Sequence, residues 1–166
     1  MGDSHQGLSP AAFVRLIDEA FDRKAWHGPN LRGAIRRVTA SQAGRRPGPG
    51  RHNIAEIVVH CAYWKYAVRR KLRGDKRGSF PLKGSNWFAM PQNMTDRQWR
   101  DCVRLLDEQH EALREAVGSA SPAQLAIGGP AGSNAPGYRV YGIAMHDVYH
   151  AGQIQTIKGA LRSKAG

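Results

Sequence analysis

Acidic residues are scarce in this chain. Asp and Glu number 13 against 25 Lys and Arg in 166 residues, a formal net charge of +12. Cysteine is scarcer, with Cys61 and Cys102 alone and no CxxC pair. That excludes a disulfide framework, a dithiol redox motif and a cysteine zinc ribbon, and it fits a reducing cytoplasm in which Cys behaves as a small buried hydrophobe. Apolar runs long enough to span a bilayer are missing. The opening MGDSHQGLSP has neither the basic nor the apolar region of a secretory leader, and Gln6 stands where a myristoylation pattern needs Ser or Thr. The expectation is a cytoplasmic protein with no membrane partner, folded as a single domain over 1–166 with its core at about 9–161.

The basic excess is local. Residues 32–83 hold 14 of the 25 Lys and Arg with only Glu56 and Asp75 to oppose them, so the rest of the chain is charge-balanced. Such a region could meet nucleic acid, acidic lipid or an anionic small molecule, or serve solubility alone. Its densest part is Lys65, Arg69, Arg70, Lys71, Arg73, Lys76, Arg77 and Lys83. Those side chains fall at a predicted helix C-terminus and in the following loop, where cations complement the helix dipole. No nucleic-acid reading motif accompanies them, so nucleic acid is not the expected partner. Any DNA affinity should be weak, sequence-independent and steeply salt-dependent.

Periodicity gives the fold. Ser9-Pro10 reads as a helix start, with Phe13, Leu16, Ile17, Ala20 and Phe21 at helical spacing until HGPN (27–30). A short amphipathic piece, Leu31 to Val38, precedes the loop GRRPGPG (44–50). A long helix follows from about Asn53 to Leu72, striped by Ile54, Ile57, Val58, Cys61, Val68 and Leu72. Residues 74–94 hold no period, yet they carry Phe80, Trp87 and Phe88; loops of this length in compact domains are often functional. Thr95 caps a third long helix ending near Gly118, with Trp99, Cys102, Val103, Leu106, His110 and Leu113 on one face. Ser121-Pro122 starts a short turn, GGPAGSNAPG (128–137) is a loop, and the last helix runs from about Tyr138 to Leu161. The prediction is an all-α four-helix bundle with long crossover loops.

The stretch HDVYHAGQI (146–154) carries the chemistry. At 100° per residue, His146 and His150 fall within the arc of Ile143, Ile154, Ile157 and Leu161, so two imidazoles one turn apart face the core. That spacing suits a shared metal ion, but it also suits two buried, hydrogen-bonded histidines. In IAEIVVHCAYW (54–64), His60 lies on the shoulder of another apolar stripe, and a histidine facing a pair across a bundle is how such interiors build metal sites. Three imidazoles leave a position for water or substrate. His5, His27 and His52 lack such partners, and His110 reads as a core residue.

The segments VVHCAYWKYAVRRKLRG (58–74), the Trp87 region, MTDRQWRDC (94–102) and YGIAMHDVYHAGQIQTIK (141–158) resemble, in content and order, the DinB-like (damage-inducible) superfamily. The resemblance runs from Ser9 to Leu161. It implies a four-helix bundle, commonly a homodimer, binding a divalent transition metal, Zn or Ni, through three histidines, which here are His60, His146 and His150. Relatives include transferases and isomerases that use small thiols. The implied activity is therefore metal-dependent transfer, such as S-transfer, or hydrolysis with a small thiol or water as nucleophile and a small thiol-like or anionic substrate. The alternative is a non-enzymatic stress-related protein with a structural metal or a basic nucleic-acid-binding face. Glu56, one turn before His60, is the candidate general base, or else a solvated helix residue. Asp147 could hold a ring N–H or cap a helix. Tyr63, Trp64 and Trp87 are candidate pocket walls, Gln153 a candidate ligand contact, and Cys61 points away from His60 around its helix.

Overall fold

The computed structural model describes residues 8–76, 78–127 and 135–163. Among them are six α-helices and no strand: α1 (Pro10–Phe21), α2 (Leu31–Ile35), α3 (Ala40–Gly44), α4 (Ile54–Arg73), α5 (Asp96–Gly118) and α6 (Pro136–Ser163). The four long helices were legible in the periodicity. His5, Arg77 and most of the 128–137 loop lie outside the described residues.

Local chemistry sets the boundaries. The Ser9 hydroxyl accepts the Ala12 N–H, and Pro10 starts α1. Asn53 with Glu56 and Thr95 with Gln98 form reciprocal capping boxes at α4 and α5. Gly74 ends α4 in the left-handed conformation, φ 71°, where a side chain would be strained. The short α3 was not anticipated, although Thr39 and Gln42 cap it by the same device. A Cβ on its last residue, Gly44, would lie 2.3 Å from the Gln92 carbonyl oxygen, so glycine there lets the 74–94 segment pack against α3.

The long helices form a ring in which α1 packs on α5 and α6, and α4 packs on the same two. Two apolar clusters fill it. One holds Ile54, Ile57, Leu106, Ile154 and Leu161; the other holds Phe13, Ile17, Leu113, Val140 and Ile143. The residues between 74 and 94 drape over the first cluster through Phe80, Leu82, Trp87 and Phe88.

A polar layer separates the two clusters. Each long helix carries a buried charged or polar residue near the point where it passes from one cluster to the other: Asp18, Lys65, His110 and Asp147. Lys65 is fully buried and ion-paired to Asp147. Its ammonium lies 3.4 Å from His110 Nδ1. His110 Nε2 lies 3.3 Å from Asp18, whose carboxylate also takes Arg114 at 3.0 Å. The expectation that Lys65 belongs to a cationic surface is therefore corrected: it is on the inward side of α4, one turn beyond Cys61. Asp147 neither caps a helix nor holds an imidazole; it neutralises Lys65. An unpaired charge at such depth would cost several kcal/mol, roughly, and pairing is what makes the layer tolerable.

Candidate metal centre

The three predicted histidines converge. His60 Nε2 lies 3.0 Å from His146 Nε2, which lies 3.1 Å from His150 Nε2. One nitrogen from each ring can face a common point. His60 and His150 are buried, and His146 is half-buried at the edge of a cavity of about 280 Å³ lined also by Trp64, Val68, Tyr138 and Ile143.

Hydrogen bonds outside the cluster set the tautomers. His60 Nδ1–H donates to the Asn86 carbonyl at 2.9 Å, and His150 Nδ1–H donates to Gln153 Oε1 at 2.8 Å. Both rings therefore present bare Nε2 lone pairs to the centre. A single proton on His146 Nε2 can satisfy only one of them, and the other lone pair is left without a donor. A second proton is opposed by the surroundings. Burial lowers the His60 pKa, and burial with neighbouring imidazoles lowers His146 to about 3 and His150 to about 4. Neutral, inward-pointing nitrogens, with the outer N–H groups of His60 and His150 anchored, form a donor set that fits a divalent transition metal, on chemistry alone.

Asn86 is the functional residue that sequence reading missed. It adopts a left-handed conformation, φ 64°, one of the few non-glycine residues to do so comfortably. That turn aims its carbonyl at His60 while its side-chain Oδ1 accepts the Trp64 indole N–H at 3.0 Å. The signal was the run GSNW within a periodless loop, and Asn is the residue there that tolerates positive φ.

The other candidates are placed as follows. Trp87 stacks on His60, centroids 3.8 Å apart, and on His52 at 3.7 Å. Trp64 meets His146 edge-on and walls the cavity. Tyr63 turns instead into an aromatic group with Phe80 and Phe88. Gln153 engages His150. Glu56 is buried, which removes the solvated reading: it pairs with Arg46, bonds His52 Nδ1 at 2.9 Å and accepts the Asn53 N–H at 3.3 Å. Cys61 is closer to the centre than its helix position suggests, since its sulfur lies within 4.8 Å of a His146 nitrogen and an Asp147 oxygen. Burial pushes its thiol pKa well up, so it stays protonated and unreactive. His110 belongs to the polar layer, stacked on Phe21 with centroids 3.7 Å apart.

Among the described residues no helix is long and apolar enough to cross a membrane. Neither curated proteins nor solved structures give a match to the chain. One protein-family model does, that of the DinB superfamily, over residues 24–154. The matched span takes in the α4 and α6 histidines and the intervening Asn86 turn. It covers well over half of the chain, which therefore belongs to the DinB superfamily.

Proposed function

We propose that this protein holds a zinc or nickel ion through His60, His146 and His150 and works as a metal-dependent transferase or hydrolase on a small substrate. The supporting observation is the convergence of three Nε2 atoms whose outer ring N–H groups are anchored at His60 and His150. Three neutral imidazoles suit either metal and leave room for a further ligand. The bound ion would supply Lewis acidity, lowering the pKa of a small thiol or of water.

The chain's own residues define what can reach the centre. The cavity beside His146 is mostly apolar, with Trp64, Val68 and Ile143 to receive the body of a small electrophile or thiol. Trp87 covers His60 and keeps water from that side. Glu56, proposed as the proton-handling carboxylate, has both oxygens engaged. It therefore acts through His52, holding that ring against Trp87 at the rim of the site. The homodimer would form through the outer face of α6, where Tyr141, Met145 and Tyr149 are exposed.

Elemental analysis after expression with zinc or nickel, followed by a thiol-consumption assay against a soft electrophile, tests the reading. Stoichiometric metal and metal-dependent turnover are expected. A folded chain that takes up neither ion would refute it. Stoichiometric metal without turnover on any thiol or hydrolysable substrate would favour the structural-metal alternative.

A further inference from the structure

The fold assembles a cationic groove that the linear charge distribution hides. It lies between the α2 segment and the first half of α5 and has a volume of about 860 Å³. Arg32, Arg36 and Arg37 line one side, and Arg97, Arg100 and Arg104 line the other. The first three come from the basic 32–83 region; the last three come from the remainder, whose charges cancel in the sequence. Two of the six are neutralised, Arg32 by Asp107 at 3.1 Å and Arg104 by Asp101 at 2.9 Å. Arg36, Arg37, Arg97 and Arg100 are exposed and make no ion pair among the described residues. Unopposed guanidinium groups on facing walls repel one another, and an anion between them removes that repulsion.

Three further observations narrow the anion. Arg97, Arg100 and Arg104 recur at i, i+3 and i+7, so they form a row along α5 over roughly 10 Å. A row suits a linear chain of charges better than one compact anion. Arg37 is held at φ 62°, a conformation uncomfortable for a long side chain, and such strain gathers where a side chain is being aimed. Finally, Arg32 and Arg36 also line a second hollow, together with Arg23, Lys24 and Gly28 of the turn that carries Trp26. Trp26 is wholly exposed. An indole free on both faces beside a cationic track is the arrangement that stacks an unpaired base.

We propose that this groove binds single-stranded nucleic acid without sequence preference, phosphates lying along Arg97, Arg100, Arg36 and Arg37 and a base stacking on Trp26. This is a site separate from the histidine centre and independent of its chemistry. It departs from the expectation drawn from the 65–83 stretch, which lies elsewhere on the molecule. It keeps the character expected there: phosphate neutralisation drives affinity, and no base edge is read.

Fluorescence anisotropy with labelled oligothymidylate and the full-length protein provides the test. With four phosphates neutralised, log affinity against log salt should have a slope of about −3. Arg97→Glu/Arg100→Glu should abolish binding, while Lys71→Glu/Lys83→Glu, on the α4 end and its loop, should leave most of it. Trp26→Ala should weaken oligonucleotide binding by roughly 5- to 150-fold and leave inorganic polyphosphate binding unchanged. Should the double charge reversal fail to fold, Arg37→Gly removes one charge while relieving the backbone, and the slope should shrink by about 0.7. No binding at low salt, equal losses from the Lys71/Lys83 pair, or indifference to Trp26→Ala would each overturn the proposal. Capture by anionic phosphatidylglycerol vesicles through the same arginines, in preference to the oligonucleotide, would overturn it in favour of a membrane surface.

Discussion

Two buried histidine environments lie on neighbouring turns of the same bundle, and they are built on opposite principles. His110 sits in the polar layer with each ring nitrogen facing an opposite partner, the Lys65 ammonium on one side and the Asp18 carboxylate on the other. His60 and His150 have partners on their outer edges, His146 Nδ1 has none among the described residues, and the Nε2 atoms of all three face each other. Burial depresses imidazole basicity in both places. The difference lies in what the inward nitrogens meet: those of His110 face a cation and a carboxylate, and those of the other three face one another. Burial of a histidine says little about its use; the direction of its second nitrogen says a great deal.

The largest separation between the two should come from removing a ligand. His150→Ala is expected to abolish stoichiometric metal, because two imidazoles from separate helices remain where three converged. The fold should persist, with Ile143, Ile154, Ile157 and Leu161 still filling α6's inner face. Elemental analysis alongside far-ultraviolet circular dichroism checks both halves. Full occupancy in the variant would show that another residue completes the set.

The histidine positions on those two helices were legible in the sequence, and the reason is physical. Helical periodicity is strong in α1 and α5, and a wheel places His146 and His150 inward from spacing alone. The shoulder position of His60 was likewise readable. The polar layer was not. Lys65 and Asp147 each sit where a hydrophobic pattern simply lapses, and only tertiary packing tells a lapse that is buried and paired from one that faces water. Asn86 was hidden for a related reason: its contribution is a backbone carbonyl, which any residue possesses. The arginine groove depends on α2 and α5 lying side by side, and pairing between separated segments leaves no mark in local composition.

Breaking the buried Lys65–Asp147 pair should give the next largest effect, and on stability rather than metal. Lys65→Met leaves Asp147 charged and unpaired in the core and should cost about 3–5 kcal/mol in urea unfolding. Metal stoichiometry in the folded fraction should be unchanged. The double variant Lys65→Met/Asp147→Leu should recover much of the loss, since two apolar groups replace two charges. A stable single variant would mean that Asp147 finds another cation or is protonated at little cost.

A smaller effect is expected from Gln153→Ala. The residue touches His150 only at its outer nitrogen, so the ligand atom remains while its orientation is released. Losses of this kind are typically about 10- to 100-fold in metal affinity. Competition with a chromophoric chelator measures it, and Gln153→Glu should restore or exceed the original affinity because a carboxylate accepts the same N–H. An unchanged affinity in the alanine variant would leave Gln153 as a packing residue.

The smallest effect separates the two environments by pH. Burial, with Lys65 and Arg114 nearby, lowers the His110 pKa from its ordinary 6.5 to about 2. Below pH 6.5 the unfolded chain takes up a proton at this residue and the folded chain does not. The unfolded state then binds more protons, so stability is fully present above that pH and falls as the solution is acidified towards the folded value. The limiting slope is about 1.4 kcal/mol per pH unit for one proton. His110→Gln keeps a donor and an acceptor without titrating, so its stability curve between about pH 5 and 6 should be shallower than the parent's by up to that one-proton slope. Measuring both chains loaded with metal holds the other three imidazoles in one state and confines the difference to His110. Parallel curves would show that His110 binds protons equally in the folded and unfolded chains, and the polar layer would lose its claim to hold a neutral imidazole between two charges.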